Sequence, residues 1–161
     1  MGNKTIGEET GLTVVSEAKN EMAINTPAAA ANFFGGTTFG LWTSLPLDNR
    51  IGIAQAMGDA DYNLRDYFKA NPMAAPLEMV DALAHNVDIV TDDGEAIKAS
   101  RLVIIDKNGK TYSTVADGAR SSMGNLFNIF GLPPFNPPLK IVAREVKTRR
   151  GFYTLNIVPV E

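Results

Sequence analysis

The sequence has 161 residues, a formal net charge of −3, 45% hydrophobic and 20% charged residues, and no cysteine. That composition fits one packed domain carrying an extension. The missing thiols exclude disulfide frameworks, thiolate nucleophiles, iron–sulfur clusters and cysteine-based zinc sites, and a lone histidine, His85, excludes a histidine-rich metal centre.

No stretch approaches the roughly 18 consecutive apolar residues of a membrane span. The first twenty residues include Glu8, Glu9 and Glu17 and lack the apolar block of a signal peptide. The expectation is a cytoplasmic protein without a membrane partner. Its charge is unevenly spread. Residues 1–97 carry five basic against fourteen acidic groups, a net of −9, whereas residues 98–161 carry ten against four, a net of +6. Such asymmetry fits a polyanionic partner, or two halves that pair with each other.

Residues 1–32 read as a flexible tail. The stretch FFGGTTFGLW (33–42) fits an edge strand, an aromatic loop, or an arm that docks on a neighbouring subunit. Residues 33–76 are assigned as this arm plus short helices packed on a barrel, and residues 77–161 as the barrel. From Asp48 the spacing of Ile51, Ala54, Gln55 and Gly58 favours a short helix, while the same letters also permit a strand alternating Ile51, Ile53, Gln55 and Met57. A second helix follows in DADYNLRDYF (59–68), with Leu64, Tyr67 and Phe68 at helical spacing, and stops at Asn71-Pro72. Strands are predicted over 77–91, 99–106 and 110–116, the first two joined by a loop at 92–99. The last two are joined by KNGK, whose Asn-Gly pair favours a tight hairpin. Residues 117–131 predict a helix with Asp117 as N-cap, Gly131 as stop, and Met123, Leu126, Phe127 and Phe130 as its buried stripe. Pro133 and Pro134 prevent continuation. Strands at 139–147 and 152–160 then form a hairpin across TRRG. Three strands, a helix and two strands is the element order of the OB-fold, an order that other small barrels and α+β sheets share; the expected class is mainly β, a five-stranded Greek-key barrel with a helix between strands three and four.

A nucleic-acid site on such a barrel needs cations for phosphates and flat rings for unstacked bases. Strand alternation, taken with Val115 facing inward, places Arg101, Tyr112, Arg144 and Phe152 outward and Tyr153 on the core face. Lys110 and the tip residues Lys147, Arg149 and Arg150 add cations, and a tip with three cations in four residues suits an anionic partner better than an ordinary solvated turn. Phe33, Phe34, Phe39 and Trp42 are candidates for base stacking or subunit docking, with plain packing the stronger reading for Trp42. His85 reads as structural. Asp59 with Asp61, and Asp92 with Asp93 and Glu95, lack the spacing of a calcium loop and read as solvated turns. No catalytic constellation, metal site or cofactor motif is expected.

The stretch SRLVIIDKNGKTYSTVADGARSSMGNLFNIFGLPPFNPPLKIVAREVKTRRGFYTLNIV resembles the single-stranded DNA-binding proteins encoded by phages and conjugative elements of Gram-positive bacteria. The carrying features are the hairpin IIDKNGKTY, the helix ending NLFNIFG, the proline pair, the basic turn before the last strand, and DADYNLRDYF upstream. The resemblance spans residues 33–160. It implies a non-enzymatic OB-fold that coats single-stranded DNA without sequence specificity in phage or plasmid replication and recombination. Single-stranded DNA is then the main partner, with a homo-oligomer and replication proteins as further candidates. The competing expectation is an OB-like protein-interaction module that oligomerises through its N-terminal aromatic arm.

Overall fold

The computed structural model describes residues 40–161. Seven strands and three helices follow in order: β1 (Leu41–Thr43), α1 (Arg50–Met57), β2 (Tyr62–Asn63), α2 (Leu64–Ala70), β3 (Leu77–Val90), β4 (Ala96–Asp106), β5 (Thr111–Thr114), α3 (Asp117–Phe130), β6 (Leu139–Lys147) and β7 (Tyr153–Pro159). The tail at 1–32 and the aromatic residues Phe33, Phe34 and Phe39 lie outside the described residues.

The sheet order is β2-β5-β4-β3-β6-β7, with β1 also paired to β3. All pairs are antiparallel except β2 with β5. The 14 residues of β3 serve three neighbours: Leu77–Met79 pair with β6, Leu83–His85 pair with β1, and nearly the whole strand pairs with β4. The sheet curls. α3 packs on both β4 and β7, which two strands separate, and α2 reaches both β5 and β6, likewise two strands apart. A flat sheet cannot bring such strands to one helix. The result is a mainly β, half-barrel sheet with few helices, consistent with an OB-like barrel.

The core follows the alternation of the strands. Leu102 and Ile104 of β4, Leu77 and Met79 of β3, Ile141 and Ala143 of β6, and Leu155 and Ile157 of β7 face one buried cluster. α3 closes it with Ala119, Met123, Leu126 and Phe127. Phe130, expected in that stripe, is the last residue of the helix and is 48% exposed. Asp117 is the first helical residue rather than the cap, and Ala116 at the N-cap makes no side-chain bond. Trp42 is fully buried against Phe127, with ring centroids 5.5 Å apart. On the other face of β3 and β4, Leu83 and Val103 pack under Ala56 of α1.

Three hairpins use one turn. In TDDGE, DKNGK and TRRGF the glycine (Gly94, Gly109, Gly151) has φ of 83°, 80° and 87°, and the flanking strands close with paired backbone bonds around three loop residues. A glycine tolerates this left-handed conformation without steric cost, and the turn leaves a one-residue bulge. In the β4–β5 hairpin that bulge decides which way β5 faces. Ile104 pairs with Tyr112 and Leu102 with Thr114, so Tyr112 and Thr114 share the core face of β4. A two-residue Asn108-Gly109 loop would shift the register by one and send Tyr112 outward. The outward placement expected for Tyr112 is therefore corrected: it is 4% exposed and Val115 is 43% exposed.

Candidate nucleic-acid interface

The third of these turns, TRRG, carries the β6–β7 hairpin beyond the core. Thr148 donates its N–H to the carbonyl of Phe152 at 2.7 Å and Gly151 donates to Thr148 at 3.0 Å, so Arg149 and Arg150 stand at the tip. Register places Lys147 opposite Tyr153 and Arg144 opposite Asn156. Tyr153 shares the face of Leu155, as the alternation predicts, but at its end of the hairpin the described residues leave most of it open. It is 61% exposed and Phe152 is 70% exposed, so the core position expected for Tyr153 is corrected. Two adjacent aromatic side chains in water are costly unless something else covers them.

Opposite this hairpin lies α2. Asn63 caps it by accepting from the N–H of Asp66 at 3.1 Å, and Leu64, Tyr67 and Phe68 turn toward the sheet. Arg65 and Lys69, one helical turn apart, therefore border β6. Two clefts open between these elements. One of about 370 Å³ is lined by Arg65, Phe68 and Lys69 of α2 together with Arg144 and Glu145 of β6. The other, of about 550 Å³, is lined by Arg65, Asp117, Arg149, Arg150, Phe152 and Tyr153. Arg65 belongs to both, so cations run from Lys69 to the hairpin tip. Among the described residues, no ion pair engages Arg144, Lys147, Arg149 or Arg150. Arg65 lies 3.5 Å from Glu145, and Asp117 lies 3.5 Å from Arg120.

The other candidates lie elsewhere. Arg101 is held at the end of α1, donating to the carbonyls of Ala56, Met57 and Gly58 at 3.2, 3.2 and 2.7 Å. A guanidinium there satisfies helix C-terminal carbonyls that otherwise lack partners and complements the negative end of the helix dipole. It also meets His85 Nε2 at 3.1 Å. Burial, and then the neighbouring Arg101 charge, hold the His85 imidazole below its ordinary range, so the ring is neutral and accepts this bond. Lys110 is exposed on the β4–β5 turn and lines neither cleft.

Tyr112 belongs to a ring cluster. It stacks on Tyr62 at 5.2 Å and 19° and meets Tyr67 edge-on at 5.2 Å. Its hydroxyl donates to Asp106 Oδ2 at 3.1 Å. Burial and that carboxylate together push the phenol well above its ordinary range, so it stays protonated. Within the cluster Tyr62, 41% exposed, is the ring that reaches solvent, and nothing in its sequence context marked it. Arg65 was missed as well. Its signal was present only as the i, i+4 partner of Lys69 in a helix whose docking site sequence alone does not give.

A family model described as phage single-stranded DNA-binding protein matches residues 52–158. The chain belongs to that family. The match begins inside α1 and ends in β7, so it covers both clefts and the ring cluster. No curated protein and no solved structure matches the chain. As a phage-type single-stranded DNA-binding protein, it has single-stranded DNA as its partner. Among the described residues no helix is long and apolar enough to cross a membrane, and no acidic or histidine group is arranged to hold a metal ion.

Proposed function

We propose that this protein coats single-stranded DNA without sequence preference during phage or plasmid replication and recombination, with no catalytic role. The strand lies along the two clefts, its phosphates neutralised by Arg65, Arg144, Lys147, Arg149 and Arg150 and its bases stacked on Phe152 and Tyr153. One observation carries this reading: four cations without ion-pair partners among the described residues and two exposed rings share one projecting hairpin. Each base has a π-face, so stacking rings bind any sequence, and phosphate contacts are equally indifferent to base identity. In this reading β3, β4, β5, β6 and β7 are the five strands of an OB barrel, with α3 between the third and fourth. The strand order β5-β4-β3-β6-β7 supports it.

Arg101 and Tyr112 leave the contact set. The former holds a helix end and the latter offers no open ring face. Lys110 and Tyr62 stand apart from the clefts and extend the path only for a longer strand.

Fluorescence anisotropy with labelled oligo-dT, oligo-dA and a duplex tests the proposal. The four cations without ion-pair partners among the described residues predict a salt slope of about −2.8 in log affinity against log salt for single strands. Similar binding of the two homopolymers and weaker binding of the duplex is the expected pattern. A flat titration at low salt, or binding that ignores salt, contradicts it.

A further inference from the structure

The basic path contains a carboxylate whose partner is one of its own cations. Glu145 lies between Arg144 and Val146 on β6 and lines the 370 Å³ cleft. Its Oε2 is 3.5 Å from Nε of Arg65, the residue common to both clefts, and each side chain is 36% exposed. Asp117, the carboxylate of the other cleft, is engaged differently. Its partner Arg120 lines neither cleft and is 19% exposed, so that pair withdraws no cation from the path.

We infer that Glu145 is a resident counter-anion that sets the affinity of this protein for single-stranded DNA. In the free protein it occupies Arg65 where a phosphate binds. An incoming strand exchanges one anion for another at that point and gains less than at an unpaired cation. A half-exposed pair of this kind adds little to folding, because water screens it and ordering two long side chains costs entropy. Its effect falls on binding: the carboxylate repels phosphates from the junction of the clefts and cancels one of the contacts that release counterions. Moderate affinity is useful to a protein that must leave the strand when copying enzymes pass.

The inference rests on the proposed DNA path, and the experiment separates the two. Glu145→Gln removes the charge and keeps the shape. Freeing Arg65 for a full phosphate contact steepens the salt slope by about 0.7, and at 0.1 M salt this amounts to about fivefold tighter binding to oligo-dT. Glu145→Ala is expected to move binding in the same direction. With Arg65→Ala as background, Glu145→Gln leaves the slope where Arg65→Ala put it, the signature of coupling between the two residues. If the wild type binds with the expected salt dependence but Glu145→Gln binds no tighter, the counter-anion role is wrong and the DNA path stands. Weaker binding by Glu145→Gln and Glu145→Ala would also overturn it, showing that Glu145 instead holds Arg65 in position for DNA. A wild type that does not bind removes both.

Discussion

Replacing Lys147, Arg149 and Arg150 together by alanine is expected to lower affinity for oligo-dT by about 100-fold at 0.1 M salt and to flatten the salt slope by about 2. Both figures follow from three phosphate contacts on a single strand, each worth about 0.7 in slope. The state of these side chains in the free protein points to DNA. They are exposed, have no ion-pair partners among the described residues, and crowd one turn of a hairpin that leaves the core behind. Cations so placed repel one another, and a polyanion relieves that repulsion. Since they hold nothing in the fold, the triple variant should keep its thermal midpoint, and surface changes of this kind usually shift stability by no more than about 0.5 kcal/mol. A salt titration by anisotropy and a melting curve check the two halves of the expectation. Unchanged binding would place the phosphates elsewhere.

Phe152→Ala separates stacking from charge. Loss of one base-stacking ring is expected to cost about 1–3 kcal/mol, or about 5- to 150-fold in affinity, with no change in salt slope. Tyr153→Ala should behave in the same way. These two rings are 70% and 61% exposed, so neither truncation opens a cavity. The contrast is Tyr112, whose ring is walled by Tyr62 and Tyr67 and whose hydroxyl is tied to Asp106. Truncation there acts on the fold, since deleting a buried aromatic ring removes about 3–5 kcal/mol of stability. A binding defect in Tyr112→Ala is therefore uninformative unless the protein remains folded, whereas one in Phe152→Ala reports on the DNA. The measurement is anisotropy beside circular dichroism. A Phe152→Ala variant that binds as the wild type does would remove the ring from the path.

The regular elements were legible in the sequence because local signals agreed. Alternation in KIVAREV, the helical stripe at Met123, Leu126 and Phe127, and the glycines of the turns each act within a few residues, and the structure follows them closely. β4 starts at Ala96 rather than in the expected position at 99, and β5 is only four residues long. What the sequence could not show was register and docking. A bulge of one residue after Asn108-Gly109 reverses every side chain of β5, and this moved Tyr112 from the expected surface into the core. Arg101 looked like a free outward cation because alternation says only which face it takes. That α1 covers that face and ends at the guanidinium is a long-range fact. The hairpin tip survived as a candidate because its exposure depends on the length of β6 and β7 alone. Arg65 and Glu145 come from segments 80 residues apart, and only the packing of α2 on β6 brings them together.

Backbone amide chemical shifts, recorded as oligo-dT is added, test most directly where the strand lies. The largest changes are expected at Arg65 and Lys69 and along residues 142–154, with little change near Arg101 at the end of α1. Large changes around α1 and the β3–β4 turn, with a silent β6–β7 hairpin, would contradict it.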